Sequence, residues 1–437
     1  MNVEPGPVGE PPAPVHTPTG PRRAAVAFVF VTVMLDMLAI GIIIPVLPRL
    51  ILSFLDGDTQ NAAEMVGVFG TAWALMQFLF SPALGALSDR FGRRPIILLS
   101  NFGLGLDYVV MALAPSLAWL FLGRIISGIT AASVTTSFAY IADVTPTEKR
   151  AKAFGLMGAA FGVGFVLGPA VGGLLGNADP RLPFWVAAGL SLLNGMYGIF
   201  VLPESLTRDH RAAFKWKRAN PLGAIGMLRE HRGLLGLAMV NFLGQFSHMV
   251  LNSTFVLYVG YRFGWNAKDV GWTLAAVGLC SMIVQGGLVG PINKRLGDRK
   301  TLLVGTVFGA AGFAWFGIAP TGASLFVALP MLALWGLAGP ATQSLMTRKV
   351  GRSEQGRLQG ANSSLVGMAN IIGPGIFTGI FAAVIGPFAS WHLPGASFLL
   401  AALAMVAATI LALLVTRGVA TATAAGSAPG PAPESAP

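Results

Sequence analysis

The segment Gly85–Pro95 reads GALSDRFGRRP and joins two long apolar stretches of the chain. It carries four charged residues, although only 11% of the 437 residues are charged. A shift of 205 residues aligns it with a partial copy, GPINKRLGDRK, that begins at Gly290. The same shift aligns further glycines and prolines: Gly155 with Gly360, Gly162 with Gly367, and Gly168–Pro169 with Gly373–Pro374. One constant offset in separate regions indicates two repeated halves.

Apolar runs of membrane length recur along the whole chain, of which 54% is hydrophobic. A run of about 20 residues crosses roughly 30 Å of hydrocarbon as a helix. Twelve such runs are present: 24–48, 65–87, 95–114, 116–141, 153–176, 183–202, 233–259, 268–292, 301–320, 323–346, 357–386 and 394–416. We therefore predict an all-α membrane protein with twelve transmembrane helices in two six-helix halves. Six spans return the chain to its starting side, so the halves are parallel repeats, which in transporters enclose a substrate site near the midplane.

The basic residues are distributed unevenly between the two sides of the predicted membrane protein. Of the 29 Lys and Arg residues, four lie on one side (Arg49, Arg181, Arg262 and Lys268) and Arg124 lies within a span. The other 24 lie with both termini on what we call the basic side. The positive-inside rule predicts that the basic side is cytoplasmic. The net charge of +11 thus orients the protein and does not indicate a nucleic-acid partner.

Composition divides the chain into five parts. A disordered tail (1–22) precedes the first half (23–202), and a basic linker (203–232) leads to the second half (233–417) and a second disordered tail (418–437). Both tails are rich in Pro, Gly and Ala and cannot bury a core. The first tail lacks the apolar region of a secretory signal. The single cysteine, Cys280, supports neither a disulfide framework nor a cysteine metal site, and we predict no bound metal.

Three charged residues lie deep inside predicted spans, away from the span ends. Asp36 lies about 18 Å into the first span, Asp107 lies at a similar depth in the third, and Arg124 lies about 12 Å from the outer end of the fourth. Each costs roughly 2.5–3.5 kcal/mol to insert, so each should face an aqueous cavity or a partner. We interpret the two acids and Arg124 as proton-coupling residues, because a carboxylate whose access alternates can bind and release protons. A structural ion pair between Arg124 and one acid is the alternative.

Two glycine-rich segments are candidates for a conformational switch. In the turn between spans two and three, Gly85 and Gly92 allow helix ends to approach, and Asp89 can pair with cations or with a helix N-terminus. The charged members of this candidate switch are Asp89, Arg90, Arg93 and Arg94. In span five, Gly164, Gly168 and Gly172 recur every four residues and Pro169 permits a bend. A purely structural packing role remains open for span five.

The motifs together resemble the major facilitator superfamily. The turn GALSDRFGRRP is similar to the loop motif of its proton-coupled drug exporters, and FGVGFVLGPAVGG (161–173) is similar to the motif that marks exporters. LDMLAIGIIIPVLPRL (35–50), LDYVVMALAP (106–115), LGRIISGITAA (122–132), IADVTPTEKR (141–150), RFGWN (262–266) and LQG (358–360) resemble the tetracycline/proton antiporters. The resemblance covers most of 24–416. It implies acids in spans one and three and an arginine in span four, which Asp36, Asp107 and Arg124 match.

The chain departs from that family in its second half. The family carries a histidine in span eight, where this sequence has Cys280 and Ser281, and an acid in span nine, where 301–320 has none. His248 is a candidate replacement that could bind protons or substrate, since an imidazole titrates near pH 6.5 in water. It shares one helical face with Asn241, Gln245 and Asn252. A hydrogen bond from His248 to a neighbouring helix is the alternative.

The sequence favours a secondary transporter over an enzyme. Its candidate substrate-binding residues are polar side chains among many apolar ones, which suits an amphipathic drug: Gln77, Asn241, Gln245, His248, Asn252, Asn362 and Asn370. No P-loop, HExxH or GxSxG motif is present, so neither ATP hydrolysis nor a hydrolase site is indicated. We predict proton-driven export of a tetracycline-like drug by a monomer in the inner membrane. No cofactor is expected beyond the proton gradient, although transport of a substrate–divalent cation complex remains open, as does a sugar or metabolite transporter on the same fold.

Overall fold

A computed structural model describes residues 22–206, 209, 211, 226–230, 233–351 and 354–417. These ranges are largely helical and contain no β-strand. The predicted tails at 1–22 and 418–437 lie outside the described residues, apart from Arg22. The same holds for most of the predicted linker 203–232, of which only 203–206, 209, 211 and 226–230 are described.

The helices form two successive sets of six spans. The first half comprises α1 with α2 (Arg22–Ile43, Leu47–Ser53), α3 (Thr59–Phe91), α4 (Arg93–Leu113), α5 with α6 (Leu117–Thr130, Ser133–Val144), α7 (Thr147–Ala178) and α8 (Leu182–Val201). After the short α9 (Met227–Glu230), the second half comprises α10 with α11 (Leu234–Ser253, Phe255–Phe263), α12 (Ala267–Ile283), α13 (Val289–Ile318), α14 with α15 (Ala328–Trp335, Ala338–Thr347), α16 (Gln355–Ile385) and α17 (Ala396–Val415).

A glycine separates the eighth and ninth spans. Eleven segments of the described chain are long and apolar enough to cross a membrane, and the longest, Ala267–Ile318, has 52 residues. About 20 residues suffice for one crossing, so this segment contains two spans. They divide at Gly297, whose φ of 72° and ψ of 161° leave helical geometry. Its repeat partner Gly92 has a φ of 110°. Both angles favour glycine, and the prediction of twelve spans in two halves is confirmed.

Several helix boundaries differ from the predicted ones. The second span begins at Thr59 and not at 65, because the Asp58 side chain accepts a hydrogen bond from the Asn61 backbone N–H at 3.0 Å and caps the helix. The fifth span begins at Thr147, six residues before the predicted start. Hydropathy marks only the part of a helix that lies in hydrocarbon, so polar helical ends were missed. A π-helical turn, Val284–Leu288, also interrupts the eighth span.

The two halves pack along two pairs of helices. Helix α3 packs on α16, and α7 packs on α12. Within each half the first span packs on one of these interface helices, α1 on α7 and α10 on α16. The acids on α1 and α4 therefore lie in the first half, behind the surface that meets the second half.

Candidate functional site

Asp36 is held inside the first half by a neighbouring amide. The residue is 1% exposed, and its Oδ1 accepts a hydrogen bond from Asn194 Nδ2 at 3.1 Å. The same Asn194 nitrogen donates to the Thr32 carbonyl, also at 3.1 Å, so α8 is fastened to α1 at this point. The Ser133 side chain of α6 lies beside the carboxylate. Sequence analysis missed Asn194, because a single buried amide in an apolar helix carries no distinguishing pattern.

Asp107 and Arg124 face each other across α4 and α5. Asp107 is fully buried, and neither of its oxygens has a hydrogen-bond partner among the described residues. A methyl group on Gly123 would lie 2.5 Å from Asp107 Oδ1, so a larger residue there would require the carboxylate to shift. Arg124 interacts electrostatically with Asp107 without an ion pair inside 4 Å, and its guanidinium lies 5.0 Å from the centre of the Trp73 ring. The alternative of a direct structural ion pair is therefore not the arrangement in this state.

Tyr108 is a buried neighbour of the charged residues. It is 3% exposed and lies within electrostatic range of Asp36, Asp107 and Arg124. The structure thus brings together the three intramembrane charges that the sequence singled out. Tyr108 joins them as a fourth member that no sequence signal indicated.

The second-half candidates are spread along α10 and do not reach this cluster. The His248 ring lies 5.6 Å from the Trp335 ring of α14, in a tilted arrangement. Asn241, Gln245 and His248 are half-buried, whereas Asn252 is exposed. His248 therefore packs on an aromatic ring inside the second half, and no described contact connects it to either acid.

Asn362 forms an amide pair that the sequence did not reveal. Its Nδ2 donates to Gln343 Oε1 at 3.1 Å, which joins α16 to α15. Asn362 Oδ1 and Gln343 Nε2 are buried with no partner among the described residues, which leaves one acceptor and one donor free. Gln77 on α3 and Asn370 on α16 are both half-buried. The substrate candidates thus line several helices without forming one cluster in this state.

The turn Gly85–Pro95 is organised around Arg93. Its guanidinium pairs with Asp89 one helical turn earlier and with Asp143 Oδ2 on α6 at 3.1 Å, and it donates to Ser88 Oγ at 2.7 Å. These contacts fasten the turn to α6. Gly85 has open space around it, since a methyl group there would meet no atom within 4 Å.

A carboxylate from beyond span six caps the helix after the turn. Glu204 accepts hydrogen bonds from the backbone N–H groups of Arg93 at 2.8 Å and Arg94 at 3.3 Å. The sequence predicted that Asp89 pairs either with a cation or with a helix N-terminus. In the structure Glu204 caps the N-terminus of α4, and Asp89 pairs with the cation Arg93. The Arg94 side chain donates to the Ile199 carbonyl, and Arg90 lies over the Phe91 ring, outside the network.

The second copy of the turn uses the same ion pair with its charges reversed. Asp298 Oδ2 and Arg348 form a salt bridge at 2.7 Å. The 205-residue shift aligns Asp298 with Arg93 and Arg348 with Asp143. In each half, therefore, an ion pair connects the turn to the fourth span. The basic residue lies on the turn in the first half and on the fourth span in the second half. This symmetry was hidden in the sequence because the aligned residues differ.

The glycines of span five pack against α1. A methyl group would lie 2.6 Å from Met37 Cβ at Gly164, 2.7 Å from Gly41 Cα at Gly168, and 1.9 Å from the Ile42 oxygen at Gly172. Pro169 Cδ would lie 3.0 Å from a methyl group on Gly41. The two backbones are thus in direct contact, as the spacing predicts; a role for these residues in switching stays a prediction.

The two halves are in contact on the membrane side opposite the basic side. At the basic side they lie apart. A methyl group on Gly173 of α7 would lie 2.5 Å from the Ala267 oxygen, and Arg49 donates a hydrogen bond to the Trp265 carbonyl of the other half. Towards the basic ends of the interface helices, glycines have no neighbour within 4 Å of an added methyl group: Gly155, Gly158, Gly286, Gly287 and Gly290. The groove between the halves is therefore open at the basic side.

The described residues contain no group of three or more His, Cys, Asp or Glu side chains able to hold a metal ion. The site instead consists of buried acids in one half and amphipathic helices around a groove.

Comparison with known proteins gives matches over most of the chain. Residues 29–374 and 237–436 match the profile of the Major Facilitator Superfamily. The chain is 40% identical to the tetracycline resistance protein, class C, of Escherichia coli, over 80% of this chain and 88% of that protein. It is 37% identical to the class G protein of Vibrio anguillarum, over 84% of this chain and 93% of the relative. A bacterial homologue of the human lysosomal transporter Spinster has a similar fold, with a TM-score of 0.70 at 19% identity, covering 94% of this chain and 99% of that one.

Proposed function

The chain belongs to the major facilitator superfamily, and on that premise we propose that it exports a tetracycline-like drug in exchange for protons. It is a multi-pass membrane transporter and not an enzyme. Relatives named for tetracycline resistance, at 32–40% identity, support a drug of that class as substrate.

The observation that carries proton coupling is the burial of two carboxylic acids without a strong cation partner. Asp36 and Asp107 are each at most 1% exposed, and Arg124 does not form an ion pair with either. A permanently charged carboxylate in this setting is costly, and protonation removes the cost. We infer that each acid is neutral in one part of the cycle and ionised in another. That alternation links proton movement to the conformational change.

The sidedness of the charge orients the proposed export. We infer from the positive-inside rule that the basic side and both termini are cytoplasmic. The groove that opens at the basic side would then admit the drug from the cytoplasm. Closure there, with separation of the contacts around Arg49, would release the drug to the other side.

Residues from both halves are proposed to contact the drug. Gln77, Asn241, Gln245, Asn252, Asn362 and Asn370 supply amide groups, and His248 supplies an imidazole beside Trp335. The free acceptor of Asn362 and the free donor of Gln343 suit a ligand that itself carries an adjacent donor and acceptor. His248 stays a proposal for substrate or proton binding, and a monomer is the proposed transporting unit.

Drug susceptibility and vesicle transport test this function. We expect expression in an efflux-deficient bacterial host to raise the tetracycline concentration that inhibits growth, and energised everted membrane vesicles to accumulate tetracycline. A protonophore should abolish this accumulation. Parallel assays with and without Mg²⁺ identify a drug–cation complex. Transport of a sugar or another metabolite, with no protection of the host against tetracycline or related drugs, would contradict the proposal.

A further inference from the structure

Four helices of the first half surround a common axis. Helix α1 packs on α6 and α8, and α4 packs on the same two helices, so the four form a closed ring. The ring is distinct from the surface that α3 and α7 present to the second half. The interior of this ring is unusually polar for a membrane bundle.

Nine polar residues of the ring are buried, each at most 2% exposed. They are Thr32 and Asp36 on α1, Ser100, Asn101 and Asp107 on α4, Thr136 and Ser137 on α6, and Ser191 and Asn194 on α8. The pairs Thr32/Asp36, Ser100/Asp107 and Ser191/Asn194 are separated by four, seven and three residues, which keeps each pair on one helical face, whereas Thr136 and Ser137 are adjacent. Each of the four helices therefore contributes buried polar side chains to this bundle.

Every one of these nine side chains has at least one polar atom without a partner among the described residues. The five hydroxyl oxygens of Thr32, Ser100, Thr136, Ser137 and Ser191 are unpaired, as are both polar atoms of Asn101. One oxygen of Asp36, both of Asp107 and the oxygen of Asn194 are also unpaired. Such atoms are rarely left unpaired inside a protein, because their desolvation is not offset by a hydrogen bond.

The second half contains buried hydroxyl groups that have partners within their own helices. The hydroxyls of Thr342, Thr378 and Ser253 each donate to the carbonyl four residues earlier in their own helix, at 2.7–2.8 Å. That bond is the ordinary solution for Ser and Thr in hydrocarbon. The 205-residue shift aligns Ser137 with Thr342, so the same position is bonded in one half and unbonded in the other. Ser100 and Asp107 align with Gly305 and Gly312, which have no polar side chain.

The polar residues form levels along the ring axis. Ser100, Ser137 and Asn194 each lie seven residues, about 10 Å, from the basic-side ends of their helices. Asn194 contacts Asp36 directly, and Asp107 lies seven residues further along α4 than Ser100. Between this level and the basic surface, the Tyr140 hydroxyl donates to the carbonyl of the exposed Pro203 at 3.0 Å. Polar groups are thus present near the basic surface, at the level of Asp36 and at the level of Asp107.

Building on the proposed proton coupling, we propose that α1, α4, α6 and α8 enclose a hydrated path that carries protons between the basic side and the carboxylates Asp36 and Asp107. Water supplies the partners that the nine residues need, and a chain of such waters conducts protons but excludes a drug. In the state open at the basic side, a carboxylic acid breaks its O–H bond and passes the proton to the adjoining water. The resulting hydronium charge leaves along the path.

The path runs inside one half, whereas the drug uses the groove between the halves. Among the described residues, the ionisable groups that face the acids are few. Tyr108 faces Asp36 and Asp107, Arg124 of α5 faces Asp107, and α6 and α8 present only neutral Ser133 and Asn194 to Asp36. Proton release and drug binding can therefore be changed independently by substitution.

The test separates proton flux from drug exchange in proteoliposomes. A pH-sensitive dye reports proton movement after tetracycline is added, and counterflow of labelled tetracycline reports binding and alternation without a proton gradient. The path variants are Asn101→Leu and the double variant Ser100→Ala with Ser137→Ala, none of which replaces Asp36 or Asp107. The matched control is Thr342→Val, which removes the aligned hydroxyl in the second half.

We expect both path variants to slow drug-driven proton flux by about tenfold or more, because positioned proton transfer supplies at least this factor. Counterflow should stay within about twofold of wild type, and the control should retain both activities. Path variants with normal proton flux, or with flux and counterflow lost together, would overturn the path while leaving the proposed function intact. A wild-type protein that exchanges tetracycline without moving protons would overturn the proposed coupling itself, and the path with it.

Discussion

Asp36 and Asp107 lie in one bundle but in different surroundings. Asp36 accepts a hydrogen bond from Asn194 and has Ser133 beside it. Asp107 has no hydrogen bond of normal geometry among the described residues, and it lies in the field of Arg124 with the Ser127 side chain beside it. A hydrogen bond to the ionised form stabilises it locally, whereas the field of Arg124 changes whenever α5 moves. Asp107 is therefore the acid whose proton affinity should respond more strongly to conformation.

Arg124→Lys tests whether the guanidinium geometry matters. Lysine keeps the positive charge, but it loses the planar group that lies over Trp73 and the fork of donors that faces Asp107. We expect tetracycline uptake into everted vesicles to fall at least about tenfold at unchanged protein level. Arg181→Lys is the control, because Arg181 binds the Ala112 and Ala114 carbonyls away from the acids. Wild-type uptake by Arg124→Lys would show that charge alone suffices.

Sequence reasoning finds charged residues in a membrane protein readily and neutral polar ones poorly. Asp36, Asp107 and Arg124 stand out because each is expensive in hydrocarbon. Asn194 and Tyr108 complete the same cluster, yet an amide and a phenol are ordinary residues of apolar helices. Only the packing of α8 against α1 and α4 reveals them. The polar path of the first half was likewise not visible, since it depends on which hydroxyls fail to bond their own helices.

At the scale of elements, the contact of α1 with α7 fixes the position of Asp36 relative to the interface between the halves. Backbones touch there because three glycines of α7 face α1. A movement of α7 against α12 should therefore also displace α1. This rigid contact couples the helix that carries an acid to a helix that must move when the groove changes.

Gly164→Val should break this contact. The added Cβ would lie 2.6 Å from Met37 Cβ and 2.9 Å from the Leu38 nitrogen, so α1 must shift. Such overpacking typically costs about 1–3 kcal/mol, and we expect a lower melting temperature in detergent and loss of vesicle transport. Gly158→Val is the matched control on the same helix, because its methyl groups meet open space. Equal stability and transport of the two variants would show that the α1–α7 contact is dispensable.

Arg49 is the arginine that joins the halves on the side away from the basic side. It donates to the Trp265 carbonyl with Asp269 in electrostatic range, whereas Arg181 and Arg262 bind carbonyls within their own halves. We expect Arg49→Gln to favour the state in which this side is open. A cysteine introduced by Ala267→Cys, in a Cys280→Ser background, should then react with a water-soluble thiol reagent at least about fivefold faster.

Arg181→Gln provides the control for that measurement. It removes an arginine with the same kind of partner on the same side, but no bond between the halves is lost. The labelling rate of the cysteine at 267 should therefore match that of the background protein. If Arg49→Gln also left the rate unchanged, Arg49 would not hold the halves together.

The internal repeat explains how far elements could be predicted. The offset of 205 residues correctly paired the turns at Gly92 and Gly297, because a positive φ requires glycine in both halves. It did not show that Arg93–Asp143 and Asp298–Arg348 are equivalent, since reversed charges look like dissimilar sequence. Helix ends were also misjudged where polar turns extend α3 and α7 beyond the hydrocarbon.

At the scale of the whole molecule, the structure shows one of the two conformations between which a transporter of this superfamily alternates. The halves are joined around Arg49 and Gly173 and separated around Gly158 and Gly287. Alternation requires the first set of contacts to break as new ones form at the basic side. The acids lie inside one half, so coupling requires their protonation to alter the relative stability of the two states. Each half can then move largely as a unit.

Gradient-driven transport by purified protein in proteoliposomes tests proton coupling through Asp36 and Asp107 most directly. With an acidic lumen, an antiporter should concentrate external tetracycline inside as protons leave. The wild type is predicted to do so and to stop when the gradient is dissipated. Asp36→Asn and Asp107→Asn are each predicted to lose at least about 90% of this uptake while retaining counterflow. Undiminished gradient-driven uptake by either variant would contradict the assignment of that carboxylate to proton coupling.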